Sequence, residues 1–270
     1  MSVPEEDIVE FRKNFAVISH DFDLKNIFNA DETALYYNAL PEKTLNPVSV
    51  PAVGSKKSKD RVTLLLGGST LGEKLSPLVI GKYRSPRCLR GLDVKALPCT
   101  YKNSLNAWMT SEIFQHWLSE VNQKMVEQHR KILIIVDNAT CHRTTREFSN
   151  IKLVFLPPNC TSVLQPMDQG VIWSFKCLFR KKLLEIVISS VEDEPKISKH
   201  KISVLEAMHF VRRAWVEVHP EVIKNAFRRT NLMPTEGTIA SPPPDVSCEL
   251  IQDFSEYVKI DDHLFAEDSL

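Results

Sequence analysis

The spacing of apolar residues along the chain predicts α-helices in five segments. In each segment apolar side chains recur three or four positions apart, which places them on one face of a helix. Thr110 or Ser111 can cap the second of these helices, and Pro220 suits the first turn of the last one. The predicted helices cover 5–18, 111–129, a long segment that begins near Asp168, 202–218 and 220–229.

Short runs of aliphatic and β-branched residues predict five strands. The second and third of them are separated by a glycine-bearing turn, which is typical of a hairpin with a longer loop. The last two are continuously apolar or nearly so, as in central strands that helices cover on both faces. The predicted strands cover 27–30, 62–67, 75–80, 132–136 and 152–156.

The order of these elements predicts the fold class. Three strands with antiparallel pairing come first and helix-linked strands follow, so we expect an α/β fold with a five-stranded mixed sheet and flanking helices. The segment 41–61 is rich in Pro, Ser and Lys and lacks periodicity, which indicates a surface connection. The SPPPD stretch at 241–245 marks the expected end of the folded part.

The composition is that of a globular protein with a sizeable core. Of the 270 residues, 43% are hydrophobic and 25% are charged, which are ordinary values. No apolar run approaches the roughly 18 residues that span a bilayer, and the acidic start is unlike a signal peptide. These features argue against membrane and secretory proteins. The six cysteines have no paired spacing, which indicates a reducing compartment.

The net charge of zero hides an uneven distribution. Residues 245–270 contain eight acidic residues and one basic residue, whereas residues 31–244 contain 30 basic and 20 acidic residues. A basic body with an acidic tail is typical of proteins that bind a polyanion. An ordinary solvated surface with a disordered tail explains the same pattern, so charge alone leaves both interpretations open.

Three aspartates stand where predicted strands end or a helix begins. Asp31 follows the first strand, Asp137 follows the fourth, and Asp168 begins the long helix. Functional groups collect at strand ends in open α/β sheets, although aspartate is also a common turn residue and helix cap. Converging carboxylates repel one another, so a divalent ion such as Mg²⁺ or Mn²⁺ is their expected partner. Two such ions about 4 Å apart support displacement at phosphorus, which predicts a nuclease or phosphotransferase.

The chain carries three distinctive motifs: NADET at 29–33, ILIIVDNATCH at 132–142 and KLVFLPPNCTSVLQPMDQG at 152–170. Together they resemble the DDE-type endonuclease domain of the Tigger and pogo transposases and their domesticated relatives, the jerky-like and centromere-protein-B-like proteins. The last motif is the most specific of the three. The resemblance covers roughly residues 25–235.

The resemblance implies a ribonuclease-H-like fold with a triad of catalytic aspartates. The triad maps to Asp31, Asp137 and Asp168, which would also bind two Mg²⁺ or Mn²⁺ ions. The last two acids are separated by 30 residues, the spacing expected for the pogo branch. Residues expected beside the triad are Asn138, His142 and Gln165.

Basic clusters flank the predicted hairpin and continue on the helix after Asp168. Such side chains contact phosphates and position DNA without reading its sequence, and a solvated surface is the alternative. The four tryptophans are expected to lie in the core, with only Trp108 partly exposed. The predicted DNA-binding residues are Lys56, Lys57, Lys59, Arg61, Lys82, Arg84, Arg87, Lys176 and Arg180.

We expect three regions: an N-terminal helical linker over 1–24, the DDE endonuclease domain over 25–235 and an acidic, disordered tail over 236–270. Family members carry helix-turn-helix DNA-binding domains ahead of the catalytic domain, and this chain has no room for them before its first strand. It is therefore expected to be a fragment or a protein without the targeting half.

The leading functional hypothesis is a nuclear, DNA-binding endonuclease or strand transferase that assembles as a homodimer and has no membrane partner. All three acids are present, so the sequence gives no sign of lost catalysis. One alternative is a domesticated DNA- or chromatin-binding protein that keeps the fold but does not cut. Another is a protein-interaction module that is contacted through its tail.

Overall fold

The computed structural model describes residues 5–40, 58–193, 201–233, 254–262 and 264. The predicted surface connection therefore lies largely outside the described residues, as does the SPPPD boundary. Within the described ranges the strands are β1 (Ile27–Leu35), β2 (Val62–Ser69), β3 (Leu78–Gly81), β4 (Thr100–Asn103), β5 (Ile132–Val136) and β6 (Ile151–Phe155). The helices are α1 (Glu5–Ser19), α2 (Ser111–Glu127), α3 (Thr161–Leu164), α4 (Val171–Asp193), α5 (Val204–Glu217), α6 (Pro220–Thr230) and α7 (Phe254–Val258).

The strands form one mixed sheet in the order β4-β3-β2-β1-β5-β6. β2 is antiparallel to both β1 and β3, whereas β1, β5 and β6 run parallel to one another. Three antiparallel strands followed by two parallel ones form the core of a ribonuclease-H-like fold. The predicted fold class is therefore confirmed, and so are the five predicted helices.

The predicted number of strands is wrong, because the sheet has a sixth strand. β4 has the sequence TYKN and pairs in parallel with β3 at the edge of the sheet. Its residues are exposed or only partly buried. An edge strand that buries so little surface needs no run of apolar residues, so its sequence carries no strand signal.

β1 continues beyond its predicted end at Ala30 and ends at Leu35. It pairs with β2 along almost its whole length, from Phe28 opposite Ser69 to Leu35 opposite Val62. It pairs with β5 only as far as Asn29. Beyond Asn29, none of the described strands pairs with β1 on the β5 side. Asp31 therefore lies inside a strand, just past the point where β1 and β5 stop pairing.

Helices cover both faces of the sheet. On one face, Phe114 and Trp117 of α2 pack against Phe28 and Ile134, and Thr110 caps α2 by accepting a hydrogen bond from the Ile113 amide (3.2 Å). The other face is covered by α1, α4, α5 and α6. Each fully buried large apolar side chain contributes about 1.5 to 3 kcal/mol to folding. None of the described helices is long and apolar enough to cross a membrane.

The N-terminal helix is packed onto the body. Ile8 and Phe15 of α1 are buried in the main core. The Arg12 guanidinium donates two hydrogen bonds, of 3.1 and 2.9 Å, to the carbonyl oxygen of Thr230 at the end of α6. The region predicted as a linker is therefore helical and in contact with the domain, while its boundary at residue 24 stays a prediction.

The described part of the predicted disordered tail is folded. Phe254, Tyr257 and Val258 of α7 are buried, and Ile260 and Leu264 extend this contact against α4 and the end of β1. Over residues 254–262 the expectation of disorder is therefore wrong. The acidic composition suggested disorder, but five apolar side chains in eleven positions suffice to anchor the segment. The tail boundary at 235/236 stays a prediction.

A buried ion pair fastens this C-terminal segment. Arg180 of α4 and Asp261 are both completely buried, and Nη2 of Arg180 donates to Oδ1 of Asp261 (2.5 Å). Nη1 of Arg180 donates to the carbonyl oxygens of Tyr36 and Ala39 (3.0 and 3.2 Å), and the Tyr36 amide donates to Oδ1 of Asp261 (2.7 Å). The pair therefore joins α4, the end of β1 and the C-terminal segment.

Replacing Asp261 by alanine should destabilise the protein strongly. Loss of this carboxylate leaves the Arg180 charge buried without its partner, which costs about 3 to 5 kcal/mol. The free energy of unfolding should fall by that amount in a urea titration. The control is Glu120→Ala: Glu120 is 43% exposed and pairs at the surface with Lys102 (3.3 Å), so its loss should cost less than about 1 kcal/mol. Equal losses in the two variants would contradict this account.

Candidate functional site

β1 and β5 bring two of the predicted acids together. Asn29 lies opposite Ile135 in the parallel ladder, and two residues further along the two segments come Asp31 and Asp137. Side chains two positions apart in a strand lie on the same face. Because Ile27 and Ile135 belong to the core beneath α4, Asp31 lies on that face. Asp31 and Asp137 therefore occupy equivalent positions on the two segments, just beyond the point where β1 and β5 stop pairing.

The third acid reaches the site through the buried connection between α3 and α4. Asp168 ends a short 3₁₀ turn that begins at Pro166, and α4 itself begins only at Val171. Asp168 was predicted to begin this helix, and it lies before the helix instead. Gly170 (φ +104°) permits the change of direction between the turn and the helix because it has no Cβ.

The side chain of Asn29 holds this connection against the sheet. Its Nδ2 donates to the carbonyl oxygen of Ile135 (3.0 Å) and to Oε1 of Gln165 (2.8 Å), while its Oδ1 accepts from the amide of Met167 (2.8 Å). Both Asn29 and Gln165 are buried. One fully bonded amide thus joins β1, β5 and the segment that carries Asp168.

The acids on the α4 side of the site are in electrostatic conflict. Burial raises the pKa of Asp31 well above its usual value, and the charges of Asp168, Glu32 and Asp137 raise it further. Burial also raises the pKa of Asp168, an effect that a hydrogen bond with Asp31 opposes. In both groups the ionised form is disfavoured, so a nearby cation would stabilise it.

Asp137 has the opposite environment because His142 binds it. The buried His142 ring places Nδ1 2.5 Å from Oδ1 of Asp137 and Nε2 2.9 Å from Oε1 of Glu32. Burial lowers the pKa of His142, but its bonds to Asp137, Cys141 and Glu32 outweigh burial and raise it to about 12. Burial raises the pKa of Asp137, and the bond and charge of His142 lower it overall. His142 is therefore a cation held between two carboxylates.

The residues expected beside the triad have different positions. His142 contacts Asp137 of the triad directly. Gln165 accepts a hydrogen bond from Asn29, two residues before Asp31. Asn138 accepts a hydrogen bond of 3.4 Å from Arg143 and has no described hydrogen bond to the triad.

Sequence reasoning missed Asn29 and Glu32. Asn29 had a signal, since it is the single polar residue in the apolar run 27–30 and had to face a buried partner. Glu32 had none.

The predicted DNA-binding residues fall into two groups, those before β2 or after β3 and those on α4. Lys59, Lys82, Arg84 and Arg87 are exposed and Arg61 is partly buried, while Lys56 and Lys57 lie outside the described residues.

Two residues on α4 are placed differently from the prediction. Arg180 is enclosed in the ion pair with Asp261 and has no surface for DNA, so its prediction is wrong. Lys176 is buried too and pairs with Asp262 (2.9 Å). Both face the docked C-terminal segment, whose folding the sequence did not indicate.

A cavity of about 590 Å³ opens beside these acids. Asp168 and Glu32 line it together with Arg61, Lys176 and Asp262. Among the described residues no three His, Cys, Asp or Glu side chains are grouped closely enough to hold a metal ion. Ligation by all three acids therefore requires some side chains to rotate. The bonds to His142 and to the Ala139 amide both use Oδ1 of Asp137, and neither uses its Oδ2.

Comparison with known proteins identifies relatives of the chain. Residues 59–227 match the family model described as DDE superfamily endonuclease. The chain is 36% identical over 219 residues to Tigger transposable element-derived protein 4 of Mus musculus, covering 81% of this chain and 42% of that protein. It is 30% identical over 253 residues to CENP-B homolog protein 2 of Schizosaccharomyces pombe, covering 89% and 48%. The chain thus spans less than half the length of these relatives.

Among solved structures, the Mos1 mariner paired end complex with Mn aligns with a TM-score of 0.37 and 17% identity, covering 86% of this chain and 64% of that one. A likeness at this level bears on neither the site nor its chemistry.

Replacing Asn29 by leucine should loosen the segment that carries Asp168. The variant leaves the Met167 amide and the Ile135 carbonyl without their partner, which should lower the free energy of unfolding by about 2 to 4 kcal/mol. Hydrogen exchange at the amides of residues 167–170 should accelerate. The control is Asn103→Leu at an exposed position of β4. Unchanged exchange at 167–170 would show that Asn29 does not hold the segment.

Replacing Asp31 by asparagine should stabilise the metal-free protein at neutral pH. The folded pKa of Asp31 is raised, so its ionisation lowers stability as pH rises from about 4 through the folded value. The variant should melt roughly 2 to 4 °C higher at pH 7.5, with no gain at pH below about 3.5. Asp137→Asn should have the opposite sign because it deprives His142 of a partner. A lower melting temperature for Asp31→Asn would contradict the proposed repulsion.

Proposed function

The chain belongs to the DDE superfamily endonucleases, in the group of the Tigger and pogo transposases and their jerky-like and centromere-protein-B-like relatives, and we propose that it is a metal-dependent DNA endonuclease or strand-transferase domain. Asp31, Asp137 and Asp168 are its catalytic residues. The observation that supports the proposal is that Asp31 lies within electrostatic reach of both Asp168 and Asp137 where β1 and β5 stop pairing, and that Asp168 lines an open cavity there.

The donor set fits Mg²⁺ or Mn²⁺. Carboxylate oxygens are the ligands that both ions prefer. The pKa values of Asp31 and Asp168 are raised, so a bound cation would stabilise their ionised forms. Asp31, Asp137 and Asp168 would hold two ions. When bound, such ions activate the attacking oxygen and stabilise the leaving oxygen in displacement at phosphorus.

The residues around the acids fix their positions and, for Asp137, its charge. His142 keeps Asp137 ionised and limits its rotation, and Glu32 holds His142 from the other side. Asn29 and Gln165 fix the segment that precedes Asp168. These are positioning residues, since none of them needs to contact the substrate.

DNA is the proposed substrate because of the charge around the site. Four basic side chains near the site are exposed. Lys59 lies on the connection before β2, and Lys82, Arg84 and Arg87 lie on the connection between β3 and β4. Contacts from such side chains to phosphates give affinity that falls steeply with salt concentration. A nuclear location and a homodimeric assembly belong to the same proposal.

A second candidate is a DNA- or chromatin-binding protein that does not cut. The contact between His142 and Asp137 favours it, because the imidazolium already neutralises one of the acids that would bind metal. The absence of a ready metal-binding group among the described residues supports the same alternative. Fold and DNA affinity would be unchanged in such a protein, so only an activity assay separates the two candidates.

Nicking of supercoiled plasmid DNA tests the proposal. In Mn²⁺ or Mg²⁺ the protein should convert supercoiled to open-circular DNA, and EDTA should stop the reaction. Asp31→Asn, Asp137→Asn and Asp168→Asn should each lower the rate about 100-fold or more. The control is Glu185→Gln, which removes an exposed carboxylate on α4 and should leave the rate unchanged.

The alternative makes a different forecast for the same assay. No nicking by the wild-type protein in either metal, together with salt-dependent retention of the plasmid, would reject the endonuclease and support the binding protein. Nicking that survives all three substitutions would show that the activity has another source.

A further inference from the structure

Two cavities adjoin on the surface beside the candidate metal site. The first, of about 590 Å³, contains Asp168 and Trp173, and the second, of about 570 Å³, contains Lys82 and Tyr83. Both are lined by Arg61 and Trp108, so they form one groove that leads from Asp168 towards the edge formed by β3 and β4. We call it the aromatic groove, defined by Trp173, Trp108, Arg61, Lys59, Lys82 and Tyr83.

Large aromatic side chains are exposed along this groove. Trp108 is 49% exposed, Trp173 is 39% exposed and Tyr83 is 68% exposed. Trp173 was predicted to lie in the core, and that prediction is wrong. Exposed aromatic rings that share one groove mark a binding site, because leaving such surface in water is unfavourable.

The orientation of Trp108 is fixed from one side. The Arg61 guanidinium lies 5.8 Å from the centre of the Trp108 ring, within the range of a cation–π contact. Arg61 also donates a hydrogen bond to the carbonyl oxygen of Asn106, so the guanidinium is anchored to the same loop. A prepositioned ring loses little conformational entropy when a ligand stacks on it.

The second half of the groove, away from the triad, carries more cations than acids. Lys59, Arg61 and Lys82 line this half. The only acid lining it among the described residues is Asp60, which pairs with Lys201 (3.2 Å). In the first half, outside the triad, each described acid has a basic partner: Glu32 pairs with His142, Asp261 with Arg180 and Asp262 with Lys176. Cations that alternate with aromatic rings are typical of sites for single-stranded nucleic acid, in which phosphates follow the charges and bases stack on the rings.

We propose that the aromatic groove binds a single DNA strand that leaves the duplex at the candidate active site. Bases of this strand stack on Trp108 and Trp173, and its phosphates lie near Lys59, Arg61 and Lys82. A duplex is a poorer occupant because its bases are already stacked inside the helix and cannot cover the tryptophan faces. The inference rests on the proposed function in one respect only, namely that the substrate is DNA.

Binding measurements without metal test this inference separately from cleavage. A fluorescein-labelled duplex with a single-stranded flap, the flap strand alone and a blunt duplex are titrated in EDTA, with fluorescence anisotropy as the readout. Trp108→Ala and Trp173→Ala should each weaken binding of the flap DNA and of the single strand about 5-fold to 100-fold, the range for loss of one base–aromatic stack. Their affinity for the blunt duplex should change less than about 2-fold.

Matched variants separate stacking from damage to the fold. Trp108→Phe retains a ring and should recover most of the flap affinity. Phe155→Ala removes an exposed aromatic side chain on β6, outside the groove, and should have no effect. Lys82→Gln should lower the slope of log affinity against log salt by about 1 for flap DNA. Each variant is used only if its melting curve is as cooperative as that of the wild type.

The outcomes are distinguishable from those of the nicking assay. The inference is overturned if both tryptophan variants bind flap DNA as the wild type does, if they lose flap and blunt duplex affinity equally, or if the wild type binds no DNA. A wild type that does not nick but shows the flap-specific losses supports the groove and rejects the endonuclease. A wild type that nicks, with unaffected tryptophan variants, supports the endonuclease and rejects the groove.

Discussion

The side-chain amide of Asn29 is the contact on which the candidate site depends. It lies where β1 and β5 stop pairing, and its three hydrogen bonds connect both strands with the segment that precedes Asp168. Asp31 and Asp137 are close because they follow paired positions of parallel strands, but Asp168 comes from a separate connection. A buried amide with every hydrogen-bonding group satisfied accepts only one arrangement of its partners. This constraint holds the segment that carries Asp168 against the strand that carries Asp31.

The pKa values of the three acids are shifted in opposite directions. Asp31 and Asp168 face each other on the α4 side, where burial and like charge disfavour their ionised forms. Asp137 and Glu32 share the His142 cation, which packs against Phe114 of α2 with ring centres 4.5 Å apart. The ionised form is thus disfavoured for Asp31 and Asp168 and favoured for Asp137, which has the His142 cation in direct contact. Buried carboxylates with shifted pKa values destabilise the fold and are typical of functional sites. The extensive hydrophobic cores on both faces of the sheet offset that loss of stability.

Much of the fold and the three acids could be predicted from the sequence, because apolar periodicity reports burial and the motifs around Asp31, Asp137 and Asp168 are distinctive. β4 could not, since an edge strand that buries little has no apolar pattern. The pair between Arg180 and Asp261 joins residues 81 positions apart, and neither residue signals its partner locally. Trp173 was misassigned because the helix that carries it is apolar on most of its surface, so periodicity did not identify its exposed face. Long-range polar contacts and the exposed parts of apolar helices therefore had to come from the structure.

The central claim is that Asp31, Asp137 and Asp168 act as one centre for divalent metal. A crystal structure of the protein soaked in Mn²⁺, with anomalous diffraction to locate the ions, tests it most directly. The account predicts anomalous density among the three carboxylates, with Asp137 rotated so that an oxygen faces the metal while His142 keeps its contact with Glu32. Density confined to other sites, with Asp137 still closed on His142 and Asp168 turned away from Asp31, would contradict it.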